Sequence, residues 1–330
     1  MSATILSRVI EEDFPASGSP RQKLQFAIRY AELAPTEGGW QPWYFRTADT
    51  HLELMAKNNP AREAVDPDGR EPIIGCGSAL LHLKLALRHF GCLGRVALFP
   101  NLSEPTLVAR IHFGVCRERD PREKLLFEAM TGRRTNISTL GETPVSETML
   151  AELSHAAAGE RGWLDFIQSE ASRQYVLKIT VGGEQRLISF DHRRARPTRL
   201  AVEGHTPRWP RPLFAFGSRN LDSWNVPLER APQPPAPATT LAVIKTKTDE
   251  KYGWLEAGQT MARTVLQAQA LGLSWAFFDP VRRRDVREEL RTGVGHKGFV
   301  QVILRFGPFT TDEPVSTTMP TARARAAIFR

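Results

Sequence analysis

Two apolar stretches of this sequence share one plan, and that repetition constrains the fold more than any single motif does. In the stretch 254–272, small and apolar residues recur every three or four positions, which predicts a long helix with one buried face. The stretch 76–91 has the same character, and Gly77 precedes Gly91 by as many residues as Gly258 precedes Gly272. A terminal glycine suits both helices, since glycine readily takes the left-handed conformation that ends a helix.

A short apolar run that ends in proline follows each helix, closing at Pro100 after the first and at Pro280 after the second. We interpret the pattern as a degenerate internal repeat with a period of about 180 residues, which is too long for a solenoid. Such a period suits two similar halves that pair around a pseudo-two-fold axis, like a homodimer fused into one polypeptide. The alternative is that these are two unrelated buried helices that both end at glycine.

The composition is ordinary for a globular protein, with 41% hydrophobic and 24% charged residues in a chain of 330. A chain of this length can bury one large core or two domains. No apolar run approaches the ~20 residues of a membrane span, and the first residues lack the apolar core of a signal peptide. We therefore expect a cytoplasmic protein that does not associate with a membrane.

Basic residues outnumber acidic ones by 44 to 36, which gives a net charge of +8. Such an excess can attract nucleic acid or acidic ligands through its long-range potential. The arginines gather in short runs at 193–199, 282–284 and 323–330, and a solvated surface is the simpler interpretation of the first two. No nucleic-acid motif accompanies them, so a nucleic-acid-binding module is the least favoured function. The three cysteines lack metal-ligand spacing, and we expect no metal site and a core position for Cys76.

Periodicity and turn residues divide the rest of the chain into shorter elements. Helices are predicted at 23–33, 124–130, 144–158 and 284–290, with Ser146 as a helix cap. Strands are predicted at 44–56, 107–113, 240–246 and 298–307, and a strand pair at 175–181 and 185–190. Residues 1–20 are expected to form a weakly ordered arm. Residues 191–240 are rich in proline, which is excluded from helices and central strands, so we predict a lid or a disordered insertion there.

Several familiar catalytic patterns are absent or out of context. The sequence GVGHKG at 293–298 matches G-x-G-x-x-G, but a predicted helix precedes it and a strand follows, the reverse of a dinucleotide-binding site. No G-x-S-x-G nucleophile elbow occurs. His82 and His89 lie on an apolar helix and are expected to be core residues. No side chain is therefore nominated as a catalytic acid, base or nucleophile.

Two basic clusters and one aromatic loop are the candidate binding elements. Arg133, Arg134, Thr135 and Asn136 follow a glycine, and Arg323-x-Arg325 lies near the end of the chain. In an extended segment, side chains two residues apart point the same way. Paired guanidinium groups can hold a phosphate through bidentate, charge-assisted hydrogen bonds. The loop WQPWYF at 40–45 carries aromatic surface beside glycines, as needed to flank a planar ring.

Together these features resemble the nitroreductase superfamily, and most closely its Acg-like "twin" branch, in which the two protomers of the ordinary dimer are joined in one chain. The resemblance covers roughly residues 22–330. The segments that carry it are LAPTEGGWQPWYFR (33–46), DPDGREPIIGCGSALLHLKLALRHFG (66–91), GRRTN (132–136), WLEAGQTMARTVLQAQALG (254–272), VQVILRFG (300–307) and PTARAR (320–325). Their order and spacing, rather than any one motif, make the match specific.

The resemblance implies an α+β fold of the nitroreductase type, with two pseudo-symmetric halves and central antiparallel sheets packed by helices. We place the first half at 21–127 and the second at 128–330. The family binds FMN in the cleft between the halves. The positions that match its phosphate-binding elements are Arg133, Arg134, Thr135, Asn136, Arg323 and Arg325. Those that match its elements beside the isoalloxazine ring are Pro35, Thr36, Gln41, Pro42 and Asp279.

The phosphate elements occur only in the second half and the Q-P-W loop only in the first, so we expect one FMN per chain and an empty second pseudo-site. Three positions depart from the family pattern. Gly39 stands where relatives commonly carry Asn, and Ile137 where a basic residue is common. Asp279-Pro280 replaces a Glu-Gly pair whose backbone N–H groups approach flavin N5, and proline has no N–H to donate.

The resemblance thus implies an FMN-binding, NAD(P)H-dependent reductase of nitroaromatic, quinone-like or other conjugated acceptors, with hydride passing to and from flavin N5. The alternative is a protein that stores or sequesters FMN with little or no turnover, which the departures at Ile137 and Pro280 favour. The expected partner is a small-molecule acceptor, with no nucleic acid and no membrane. We expect a monomer that mimics a dimer.

Overall fold

The computed structural model describes residues 9–36, 40–57, 66–115, 120–132, 144–179, 240–279, 281, 284–295 and 297–308. Its helices are α1 (Pro20–Ala31), α2 (Arg70–His89), α3 (Pro121–Gly132), α4 (Glu147–Ala158), α5 (170–179), α6 (Lys251–Ala270) and α7 (Arg284–Gly293). Its strands are β1 (Trp43–Thr47), β2 (His51–Ala56), β3 (Leu93–Leu98), β4 (Leu107–Phe113), β5 (Trp163–Phe166), β6 (Thr240–Thr246), β7 (Leu273–Asp279) and β8 (Phe299–Pro308).

The described strands form two four-stranded antiparallel sheets with matching strand orders, β1-β2-β4-β3 and β5-β6-β8-β7. In each half a helix precedes the first strand, and a long helix separates the second strand from the third. The second half adds α5 and α7 to this plan. The predicted α+β class, with two pseudo-symmetric halves and antiparallel sheets, is confirmed.

The two long helices pack on each other at their equivalent glycines. A Cβ atom built on Gly77 would lie 3.0 Å from the Cα of Gly258, and one built on Gly258 would lie 2.9 Å from the Cα of Gly77. Both helices end before a glycine with positive φ, 68° at Gly91 and 71° at Gly272. Contact between equivalent residues marks the axis of a self-complementary interface. The internal repeat is therefore a structural one, and the interpretation as two unrelated helices is wrong.

One hydrophobic core runs through both halves, because the inner faces of both sheets pack against the helices between them. The second sheet is also covered on its other face, where α5 and α7 pack against residues such as Val243, Val300 and Ile303. Burial on both faces explains why β6 and β8 are almost continuously apolar. The first-half cysteine predicted to be core, Cys76, is fully buried.

Two of the predicted strand assignments differ from the structure. Residues 175–179, predicted as a strand, belong to helix α5, where Val176 and Ile179 lie three residues apart and both face the second core cluster. The packing of that face overrides the β propensity of the sequence; residues 185–190 lie outside the described ranges. The run 44–56, predicted as one edge strand, is a hairpin of β1 and β2. The cap at Ser146 is confirmed, since its Oγ accepts from Met149 N at 3.4 Å.

Candidate functional site

A cleft that is open to solvent lies between the two halves. The first half contributes Pro35, Thr36, Trp40 and Pro42 from the loop between α1 and β1, with Arg70, Glu71, Ile74 and Gly75 from the start of α2. The second half contributes Met261 of α6, Phe277 of β7 and Val302 of β8. The lining is mainly apolar and has an aromatic side chain on each side.

Two residues of the loop between α1 and β1, Pro35 and Pro42, contact helix α2. Near the start of the loop, Ser78 Oγ donates to the carbonyl of Pro35 at 3.0 Å. At its end, the ring of Pro42 lies against Gly75, where a Cβ atom would come within 2.4 Å of the proline Cγ. Glycine at position 75 therefore permits the close approach that brings this loop into the cleft.

Some of the residues predicted to lie beside the isoalloxazine ring line the cleft, and others do not. Pro35, Thr36 and Pro42 line the cleft. Gln41 is not among the lining residues described, and its Nε2 donates to the carbonyl of Glu32 at 2.8 Å, which holds the loop in shape. Asp279 is the last residue of β7, the strand that brings Phe277 to the cleft.

The predicted phosphate-binding residues Arg133, Arg134, Thr135, Asn136, Arg323 and Arg325 lie outside the described residues, as do Ile137 and Pro280. Helix α3 ends at Gly132, directly before the first of them. This helix is tied to the core helices through Glu123, which accepts from Arg263 Nη2 at 3.2 Å and pairs with Arg88. The start of α3 is thus tied to both long helices.

A buried positive charge stands at the edge of the cleft. Arg70 is fully buried, donating from Nε to Gln301 Oε1 at 2.9 Å and from Nη2 to the Gln301 carbonyl. Burial has the largest effect on the pKa of Arg70, and the nearby charge of Arg287 acts in the same direction. Together they lower this pKa to about 10. Arg70 therefore remains a cation at neutral pH, and its bonds to Gln301 join the first half to the second.

Prediction from sequence missed most of the cleft walls. Ile74 and Met261 were visible only as members of apolar helix faces, and a helical pattern does not tell which members border a cleft. Arg70 gave no such signal, because a charged residue at the start of a helix is normally exposed. Phe277 reaches the cleft through its strand register, which the sequence alone does not fix.

The opposite side of the helix pair is built differently. The loop that connects α4 to β5, Gly159–Gly162, is much shorter than the loop at 32–42. Its Glu160 accepts from Lys84 Nζ at 3.0 Å and from Arg263 Nη2 at 2.8 Å. Counted from the crossing glycines, the counterparts of Lys84 and Arg263 are Val265 and His82, and neither is part of these ion pairs. The two sides of the pseudo-axis are therefore not chemically equivalent.

The sequence is similar to proteins that are named as putative NAD(P)H nitroreductases. A Mycobacterium tuberculosis protein named "Putative NAD(P)H nitroreductase Rv3131" is 27% identical over 314 residues, covering 89% of this chain and 86% of the relative. Another, named "Putative NAD(P)H nitroreductase acg", is 21% identical over 304 residues, covering 89% of this chain and 92% of the relative. No family model matches. These similarities confirm the predicted resemblance to the nitroreductase superfamily and its Acg-like branch.

A comparison of structures finds a nitroreductase from Bacteroides fragilis that was crystallised with bound FMN. It is 12% identical, covers 60% of this chain and 95% of its own, and superposes with a TM-score of 0.37. Among the described helices, none is long and apolar enough to cross a bilayer.

Proposed function

We propose that this chain is an FMN-dependent oxidoreductase that uses NAD(P)H to reduce nitroaromatic, quinone-like or other conjugated acceptors. The observation that carries the proposal is the cleft between the halves, which Pro35, Thr36, Trp40 and Pro42 of one half line together with Phe277 and Val302 of the other. That is the arrangement implied by the resemblance, with one half supplying the wall beside a flat ring. The names of the two mycobacterial relatives supply the reductant and the class of acceptor.

The described lining fits the ring end of FMN. Trp40, Ile74, Met261 and Phe277 offer aromatic and apolar surface, as a planar ring requires, and Arg70 supplies a fixed positive charge at the edge. The phosphate would be held by the residues predicted for it, Arg133, Arg134, Thr135, Asn136, Arg323 and Arg325, through charge-assisted hydrogen bonds.

When bound, FMN supplies the hydride chemistry between NAD(P)H and the acceptor. The contribution of the chain is to bind the ring, orient the acceptor beside it and exclude water from the cleft. We nominate no side chain as acid or base. One FMN per chain, a monomeric state, a cytoplasmic location and independence from nucleic acid all belong to this proposal.

Absorbance spectroscopy tests the function directly. The purified protein, or the protein reconstituted with FMN, should be yellow, and anaerobic NADPH or NADH should bleach its visible band. Adding a quinone or nitroaromatic compound should then restore the colour at a rate proportional to enzyme concentration. A protein that takes up no added FMN would refute both this function and the alternative below.

Storage or sequestration of FMN is the second candidate, and the sequence at the end of β7 favours it. Pro280 follows Asp279 and has no N–H to offer the reacting edge of a flavin. Storage predicts yellow protein whose colour persists under anaerobic NADPH and NADH, whereas the reductase predicts bleaching. The same spectra therefore separate the two.

A further inference from the structure

Strand β7, which carries Phe277 into the cleft, ends in an irregular and strained segment. Its pairing with β8 shifts register between Phe277 and Asp279, so the strand bulges beside the cleft. Bulges of this kind re-aim side chains and are frequent next to active sites. Just beyond, Val281 has φ of +49° although it is β-branched, and it is buried to 1% exposure. Such a conformation persists only when its surroundings hold it in place.

The group that holds this segment is the guanidinium of Arg287 on α7. Arg287 is completely buried, and its Nη1 donates to the carbonyl of Val281 at 3.1 Å. Its Nε donates to Asp249 Oδ2 at 2.9 Å, and its Nη2 lies 3.4 Å from Asp68 Oδ2. One planar group therefore links Val281 beyond β7, the segment before α6 and, through Asp68, the segment before α2 in the other half.

Asp249 is itself held in place. Its Oδ1 accepts from Trp254 Nε1 at 2.8 Å and from Gln301 Nε2 at 3.2 Å. Burial alone would raise the pKa of Asp249, but the Trp254 hydrogen bond and the charge of Arg287 outweigh it and lower that pKa. Gln301 also accepts from Arg70, which lines the cleft. Arg287 is thus fixed to a rigid set of partners rather than to a mobile surface.

We propose that Arg287 is a positioning residue: it holds Val281, just beyond β7, in its strained conformation, and this sets the cleft wall at Phe277. Asp68 couples that position to the first half. This inference rests on the proposed function only in its consequence for FMN, since the contacts themselves are independent of any ligand. A guanidinium suits the task because its donors lie on three nitrogens fixed in one plane, whereas the three donors of a lysine share one nitrogen and cannot match acceptors placed around that plane.

The test compares Arg287→Lys with Arg284→Lys as a matched control. Arg284 lies on the same helix and is near the same two carboxylates, at 3.9 Å and 4.0 Å, but its side chain is 61% exposed. In the protein without added FMN, we expect amide hydrogen exchange in residues 273–281 to accelerate about tenfold or more in Arg287→Lys, with wild-type rates in Arg284→Lys. Wild-type rates in both variants would overturn the proposal.

With FMN present, Arg287→Lys should bind the cofactor about tenfold more weakly, and the midpoint potential of the bound flavin should change. A variant with faster exchange in 273–281 but wild-type FMN affinity and potential would show that the position of Val281 does not set the cleft, and would also overturn the proposal. If the wild-type chain binds no FMN, the proposed function fails, while the exchange experiment still decides what Arg287 holds.

A second substitution tests the proposal if Arg287→Lys does not fold. Asp68 is 35% exposed, and Asp68→Asn weakens the arm of Arg287 that reaches the first half, while the Arg284→Lys control accounts for the 3.9 Å contact of Arg284 with the same carboxylate. We expect a folded protein with exchange in 273–281 between that of the wild type and Arg287→Lys, and weaker FMN binding. Exchange and FMN affinity equal to the wild type would refute the coupling between the halves.

Discussion

Replacing Gly258 by alanine tests the helix crossing on which the arrangement of the two halves depends. The new Cβ would lie 1.9 Å from the carbonyl oxygen of Ile74, about 1.5 Å short of the 3.4 Å at which ordinary contact begins. The obstacle is backbone rather than a flexible side chain, so α2 and α6 must separate or tilt. Overpacking of this kind costs up to about 3 kcal/mol. The better helix propensity of alanine returns about 1 kcal/mol.

The net expectation is a loss of about 2 kcal/mol in the free energy of unfolding, or a Tm lower by roughly 3 °C for a protein of this size. Urea denaturation and differential scanning calorimetry measure both quantities. Gly75→Ala is the informative comparison, because its Cβ would meet the Pro42 ring at 2.4 Å and disturb the cleft rather than the crossing. A Gly258→Ala protein as stable as the wild type, or more stable, would refute the close crossing.

Three further changes test other parts of the structure. Glu160→Ala removes the carboxylate that the part-buried Lys84 and Arg263 share, while Arg263 keeps Glu123, and should cost about 2 kcal/mol in urea denaturation. Glu128→Ala, in an exposed pair, should cost under ~0.5 kcal/mol, and equal losses would contradict this. The folded-state pKa of Asp249 lies below its ordinary 3.8, so the unfolded chain binds more protons and stability is lost as pH falls below about 4. Asp249→Asn should reduce stability at pH 7 and flatten that acid dependence, and parallel pH profiles would speak against it. Arg323→Ala combined with Arg325→Ala should release FMN while the circular dichroism spectrum is unchanged, and undiminished FMN retention would show that the phosphate is held elsewhere.

The long helices could be predicted because their signals are local. The spacing from Gly77 to Gly91 and from Gly258 to Gly272 marks both helices and the residues where they cross. The segment now called α5 could not be predicted in the same way. Its β-branched residues suggest a strand, and only the neighbouring helix α7 and the second sheet make a helix the better way to bury them.

Some residues of the candidate site could be predicted from local sequence signals, and others could not. The residues Pro35, Thr36 and Pro42 were accessible to prediction because the loop resembles a known motif, and they lie at the cleft. The buried arginines were not, since a charged residue is normally exposed and its burial depends on partners far away in sequence. Arg287 finds one of its carboxylates in the opposite half of the chain. His82, expected in the core, is fully buried, with Nδ1 3.1 Å from the Ser78 carbonyl oxygen.

The unequal loops on the two sides of the helix pair bear on how such a protein can change. When two identical subunits associate, any substitution is made twice, so both copies of a pocket gain or lose the same group. A single polypeptide removes that obligation. A lysine and a glutamate can meet on one flank, as Lys84 and Glu160 do, while Val265 stays apolar at the mirrored position. Residues on one side of the helix pair can then change to stabilise the fold. Residues on the other side can change to bind a ligand, and neither change is repeated at the equivalent positions.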